Sequence, residues 1–347
     1  LAKRGRGIGG KKDKVDMMRA QILKEPKGLE MGPLELVDMP IPEPKRGQVR
    51  IKVCCCGICL TDKHICEGEL LQKKSPLIPG HQVVGVIDKS SSTRFEKNER
   101  VGAVWLGYTC QGCRFCKMGM ENLCERARFT GWDFDGGFAE YMIADEEFIH
   151  RLPSNMENEH IAPLLCAGVI GYRSLRLTQA GSKAKIGLYG FGNSAHIVCQ
   201  IAKHYDMEVY AFARGEAHRL LAKKLGAKWV GTPFDTPAEK LTHAIIFAPQ
   251  SEMVIKALQD LDRGGKIAIN AIHMNPITSL SYADLYYEKT LQSVTHGTRK
   301  DAEDLFSLMK ECPIQTEVEL FSLDRINEAL LMQKQSKMQA AGVITFQ

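Results

Sequence analysis

The sequence predicts an α/β protein in two parts, a mainly β lobe followed by a doubly wound parallel sheet. Three observations predict it. From Met18 to about Pro153, short β-type runs are broken repeatedly by Gly and Pro. From about Ala167 the rhythm changes to buried-strand runs alternating with helix-compatible segments, the pattern of a parallel sheet with crossover helices. Inside the first region, CQGCRFCKMGMENLC sets Cys110, Cys113, Cys116 and Cys124 in a C-x2-C-x2-C-x7-C array of the kind that closes around a metal. A chain of 347 residues, 44% hydrophobic and 25% charged, is long enough for two domains and has a globular composition.

Taken in order, residues 1–16 hold six Lys or Arg against two Asp, a net of +4 out of the chain's +5. They read as a disordered or non-native leader before a start at Met17 or Met18; the alternative is a basic tether for an acidic partner. The leader has no apolar core, so it is not a secretory signal. The remainder is nearly neutral, which argues against a nucleic-acid partner, and no apolar run is long enough to span a membrane. Residues 17–167 form the first domain, with strand-like runs at QVRIKVCCC, QVVGVIDKS, ERVGAVWL and GGFAEYMIA. Residues 168–297 form the second. IGLYGFG, EVYAFAR, HAIIFAP and GKIAINAI are its strands, AHIVCQIAKHY and EAHRLLAKKLGA its helices, and Gly226 is a helix stop. Residues 298–347 are too short for a core of their own. Their two helix-like stretches, TEVELF and GVITFQ should return to the first lobe.

Twelve cysteines without a secretory segment point to a reducing compartment, hence the cytoplasm. That disfavours disulfides in the four-cysteine array. An iron–sulfur cluster is the other alternative, and structural zinc is the preferred reading. Such a site holds a lobe together and performs no chemistry. Six cysteines fall to metal roles, and most of Cys54, Cys55, Cys56, Cys66, Cys199 and Cys312 read as small buried hydrophobes.

YGFGNSAH places Gly190, Gly192 and Ala195 on a G-x-G-x-x-A pattern between a strand and a helix. The first glycine permits the tight turn, the second lets the backbone approach a pyrophosphate, and Ala195 keeps helix and strand close. Asn193 joins this set at the helix N-terminus, where N–H groups face the phosphates. The next strand, EVYAFAR, lacks the terminal acid that would bind the ribose hydroxyls of NAD. Ala213 stands there, followed by Arg214 and His218, which favours NADP. The other reading has Arg214 stacking on adenine with NAD or NADP accepted.

Cys59 in GICLTDKH, His81 in PGHQVVG and Cys166 in APLLCAGV are further ligand candidates, although spacing alone does not assemble them. Taken with FTGWDFDGGFAEY, the four-cysteine array, YGFGNSAH and AIHMNPI, these motifs make the chain from about Met18 onward resemble the zinc-dependent alcohol dehydrogenases of the medium-chain dehydrogenase/reductase superfamily. The resemblance implies a GroES-like catalytic domain, a Rossmann domain, and an active site between them. It implies catalytic zinc on Cys59, His81 and Cys166 with one open position, and structural zinc on the other four cysteines, two zincs in all. By the same resemblance Thr61 is the hydroxyl beside the reacting oxygen, His64 is the outer end of its proton relay, and Asp62 orients His81. The implied reaction is hydride transfer between an alcohol, or the corresponding aldehyde, and a nicotinamide.

Two departures stand out. Gln82 follows the ligand histidine where Glu is common in the family, and Cys66 stands where several relatives carry a bulky aromatic. Trp105 and Trp132, with Leu106, are candidate pocket walls, though Trp is also ordinary core. The resemblance implies a dimer or tetramer and a small alcohol or aldehyde as substrate. The rivals are a cinnamyl- or polyol-type dehydrogenase and a non-catalytic dinucleotide-binding relative.

Overall fold

In the computed structural model, which describes residues 16–278, 280–338 and 340–346, QVRIKVCCCG forms one strand, Gln48–Gly57. The basic leader therefore lies outside the described residues except for Asp16. Val49, Ile51, Val53 and Cys55 point into the core while Lys52 is exposed, the period-two pattern of a strand with one covered face. This strand is the spine of a seven-stranded sheet. It pairs antiparallel with Gln82–Ser90, Tyr141–Asp145 and Ala341–Thr345. The last of these pairings, Ile344 against Cys56, brings the end of the chain back onto the first lobe. Gly57 is paired with Gln82, so the residues just beyond each, Cys59 and His81, emerge at the same end of the sheet. A preceding hairpin, Met17–Leu23 with Leu34–Pro40, packs beside it.

The second half holds six parallel strands in the order Trp229–Gly231, Glu208–Phe212, Lys185–Tyr189, Leu241–Ile246, Leu261–Ile269 and Thr290–Ser293. Numbered along the chain this is 3-2-1-4-5-6, the doubly wound order whose ligand crevice lies at the carboxyl ends of the central strands. Two strands here, Trp229–Gly231 and Thr290–Ser293, are short and were not evident from the sequence. The helix stop at Gly226 is real: it adopts φ 86° just after helix Glu216–Lys224.

Helix Ala167–Thr178 joins the halves. Cys166 is its N-cap, and Gly171 lets it approach the helix of the nucleotide loop, since a Cβ there would lie 2.8 Å from Val198 Cγ2. Cys55, Val84 and Val343 of the first lobe share one hydrophobic core with Ile186, Leu188 and Val198 of the second. The four-cysteine lobe is tied down by Glu121, whose carboxylate accepts from Arg299 Nε at 3.0 Å and Nη2 at 2.6 Å, and from the Arg299 backbone N–H at 2.9 Å. No helix among the described residues is long and apolar enough to cross a membrane.

Candidate active site

The short helix Leu60–Cys66 begins at Cys59, and its first turn is organised by Asp62. The Asp62 carboxylate accepts the Cys59 backbone N–H at 2.8 Å through one oxygen and faces His81 Nδ1 at 3.2 Å through the other. Asp62 is 0% and His81 1% exposed, so this contact fixes the imidazole with Nδ1 as the proton-bearing atom. His81 Nε2 then faces Cys59 and Cys166 and is buried without a hydrogen-bond partner among the described residues. The two sulfurs are 3.8 Å apart, and all three candidate ligand atoms lie within 4.8 Å of one another. Four ligands about 2.3 Å from a single ion would be spaced about 3.8 Å apart in a tetrahedron. Donor type, spacing and the unsatisfied nitrogen therefore fit one zinc with an open coordination position.

The ionisable groups of this site act strongly on one another. The Cys166 thiol and the histidine hold Cys59 well below the usual thiol range, and the same sharing with Cys59 pushes Cys166 up. Burial opposes a charged His81, but the Asp62 carboxylate and then Cys59 together outweigh it and raise the imidazole to about 10. Thr61 Oγ1 stands 3.7 Å from Cys59 Sγ. His64 is one turn further, its Nδ1 hydrogen-bonded to the Glu69 carboxylate and its ring 4.8 Å from that of His273. Glu69 lies in no motif, and although His273 falls within AIHMNPI its contact with His64 is not indicated there, because each reaches His64 through a reversal or crossing of the chain.

The aromatic wall is a ladder. The Trp105 ring meets His81 edge-on at 4.9 Å and stacks on Phe129 at 4.9 Å and Trp132 at 6.0 Å; Phe129 in turn meets His296 at 4.9 Å. Phe129 and His296 were not anticipated. His296 Nδ1 is buried without a hydrogen-bond partner among the described residues, and burial lowers this imidazole to about 4. Cys66, expected at the pocket, is instead fully buried in the first lobe's core, and Leu106 is buried as well. The one-residue register of the short helix turns Cys66 inward beside Ile65. Gln82 is also buried, its amide against Gly57, where a Cβ would be 3.0 Å away.

In the four-cysteine lobe, Cys113 and Cys116 sulfurs are 3.5 Å apart and Cys110 and Cys116 sulfurs 4.0 Å. These separations are far beyond a disulfide bond and match the edges of a single tetrahedral site. Backbone N–H groups of Cys110 and Cys113 point at Cys124 Sγ and Cys110 Sγ, at 3.4 and 3.3 Å. Backbone hydrogen bonds from Gly112 and then Cys113 lower Cys110 to about 6, a sulfur prepared to be a thiolate ligand.

Gly190 has φ 93°, and a Cβ there would lie 2.9 Å from the Ala248 nitrogen. Gly192 caps helix Asn193–His204 without any side-chain cap, and a Cβ on it would meet nothing within 4 Å. Open helix N–H groups beside open space suit a pyrophosphate. Ala195 is fully buried against the sheet. The adjoining cleft is lined by Gly192, Asn193, His196, His218 and, from the C-terminal segment, Glu317 and Ala341. At the end of strand Glu208–Phe212, the carbonyls of Ala213 and Arg214 accept from Arg219 at 2.9 and 2.6 Å. The Arg214 guanidinium is exposed and makes no ion pair among the described residues.

The model of the alcohol dehydrogenase GroES-like domain matches residues 45–154, and that of the zinc-binding dehydrogenase matches residues 195–311. A probable alcohol dehydrogenase, AdhA, of Mycobacterium tuberculosis is 41% identical over 321 residues, covering 90% of this chain and 93% of its own. An alcohol dehydrogenase of Geobacillus stearothermophilus is 33% identical, covering 85% and 91%. Among solved structures, a cinnamyl alcohol dehydrogenase of Sorghum bicolor superposes with TM-score 0.84 at 24% identity over 95% of this chain and 98% of that one, a likeness of fold. With the fold, both domain models and these relatives in agreement, the chain belongs to the zinc-type alcohol dehydrogenase family of the medium-chain dehydrogenase/reductase superfamily.

Proposed function

We propose that the protein interconverts alcohols and aldehydes or ketones with a nicotinamide dinucleotide, using one zinc held by Cys59, His81 and Cys166 and a second held by Cys110, Cys113, Cys116 and Cys124. The observation that carries this reading is the convergence of two sulfurs and the partnerless His81 Nε2 within 4.8 Å. The zinc supplies Lewis acidity that makes an alcohol hydroxyl easier to deprotonate, and the nicotinamide takes up or returns a hydride. Asp62 holds His81 in the tautomer that frees Nε2 for ligation. Thr61 offers a hydroxyl beside Cys59 that can accept a substrate proton while donating its own, and His64 releases that proton to water. The loop from Gly190 to Ala195 binds the pyrophosphate. Arg214 takes the 2′-phosphate of NADP in preference to NAD, because no carboxylate stands at Ala213 to repel it. Domain limits of 17–167, 168–297 and 298–347 follow from the same division of labour.

A second reading within this activity is a cinnamyl-type specialisation. The stacked Trp105, Phe129 and Trp132 beside His81 favour a flat, conjugated substrate. A steady-state screen of aliphatic, polyol and aryl-allylic alcohols and aldehydes, with both nicotinamides and with zinc measured on the same preparation, tests both readings. Fully folded protein with two zincs and no turnover on any of them would overturn the first.

A further inference from the structure

The chain reverses sharply after helix Leu60–Cys66, and the reversal places an acid on the relay histidine. Gly68 adopts φ 78°, and its N–H and that of Leu70 close the turn onto the carbonyls of Ile65 and His64, at 3.2 and 3.1 Å. Glu69 is thereby folded back over the helix, where one carboxylate oxygen meets His64 Nδ1 and the other meets Lys63 Nζ. Lys63 is itself held by Glu67 at 3.2 Å, and Glu67 by Lys334 at 2.7 Å. From the opposite lobe, His273 packs on the His64 ring at 4.8 Å. These are the charged and titratable groups that the structure sets against His64.

We propose that Glu69 is a positioning residue for proton release: it accepts a hydrogen bond from His64 Nδ1–H, fixing the tautomer and leaving Nε2 as the atom that takes the substrate-derived proton. The inference rests on the relay role proposed above for His64. A neutral imidazole has one donor and one acceptor nitrogen, and a carboxylate can only accept, so the pairing decides which nitrogen is basic. Lys63 keeps Glu69 ionised, since hydrogen bonds from Lys63 first and His64 second lower its carboxyl below the ordinary range. Proton balance is simple. Nε2 gains one proton on alcohol oxidation and passes it to water, while Nδ1–H stays on Glu69 throughout.

The test uses the zinc-loaded full chain with ¹⁵N-labelled histidine, His64 being assigned by difference from His64→Gln. The neutral side chain is expected as the Nδ1–H tautomer in the unmodified protein and as a mixture in Glu69→Ala, with Glu69→Gln in between. Glu69→Ala should slow alcohol oxidation about three- to tenfold, below the ~10²–10⁴ typical of a direct acid–base group, and added imidazole should restore it. In a His64→Ala background the same change should cost nothing further. An unchanged tautomer in Glu69→Ala overturns the proposal, as does an equal loss with and without His64. If His64→Ala alone turns over normally, the relay reading fails, and the NMR result still decides what Glu69 does.

Discussion

At the scale of single residues, the first metal set divides labour between ligands and the groups that aim them. Cys59→Ser or His81→Ala should leave nicotinamide binding intact, measured by fluorescence titration, and reduce turnover at least about 100-fold. Asp62→Asn should cost about 10- to 100-fold in zinc affinity or activity, because the amide cannot enforce the same His81 tautomer. Near-normal turnover in zinc-checked Cys59→Ser would mean that Cys59 does not hold the metal. Arg214 poses a separate question. Its guanidinium, exposed and without an ion pair among the described residues, should give NADP the lower KM, and Arg214→Ala should erase most of that difference. Ala213→Asp combined with Arg214→Ala should turn the preference toward NAD; an unmodified enzyme favouring NAD by about tenfold would contradict the assignment. The ligand residues were nameable from family motifs, although Cys59, His81 and Cys166 sit on three separate elements and no spacing rule links them. Glu69, Phe129 and His296 were not named: Glu69 meets His64 only because the chain reverses at Gly68, and Phe129 and His296 meet each other across a long separation in sequence. Cys66 was misplaced for a related reason: on a helix of less than two turns, a one-position change in direction decides between pocket and core.

At the scale of elements, legibility followed period and composition. Strands such as Gln48–Gly57 and Lys185–Tyr189 are rich in buried apolar or β-branched residues and were evident as strands. Helix Ala167–Thr178 was not, since AGVIGYRSLRLT carries two glycines and little helix propensity. Packing against helix Asn193–His204 makes it helical, and Gly171 is what permits the approach, while Gly168 lies against Leu164 and Leu305. The nucleotide loop shows the opposite case, in which local chemistry dictates the element. Gly190 has a positive φ and no room for a side chain, so Gly190→Ala should lower stability by about 1–3 kcal/mol and weaken nicotinamide binding. Urea unfolding and a binding titration would measure the two effects. The four-cysteine lobe is built the same way, around sulfurs already close enough to share one ion. Cys113→Ser should therefore lower the thermal midpoint and release one zinc while sparing residual turnover of the protein that remains folded, because binding energy at a closed site is folding energy. A variant that keeps both zincs and its full midpoint would remove Cys113 from that site.

At the scale of the whole molecule, the first lobe, the C-terminal segment and the four-cysteine lobe meet near His150. This residue lies on strand Ile149–Arg151 of the first sheet and meets Phe306 edge-on at 5.6 Å. Phe306 belongs to helix Arg299–Leu308, whose Arg299 binds Glu121 of the four-cysteine lobe. His150 is 5% exposed and its Nε2 has no hydrogen-bond partner among the described residues. Burial, reinforced by the charge of Arg299, lowers its pKa to about 4, against roughly 6.5 in an unfolded chain. The folded state therefore resists the proton that the unfolded state accepts. Between about pH 6.5 and 4 the unfolded chain binds more protons, so stability falls as pH falls through that window and is insensitive to this residue above it. The contribution lost approaches about 3 kcal/mol near pH 4 and is roughly 2 kcal/mol at pH 5. Urea unfolding of the unmodified protein and of His150→Leu at pH 7, 6 and 5 isolates the effect, because loss of zinc on acidification is common to both. The unmodified protein should lose more stability on acidification than the variant, and the gap between them should open below about pH 6.5. Parallel curves would show that His150 is protonated as readily in the folded protein as in the unfolded chain, and that this junction between the lobes is open to water.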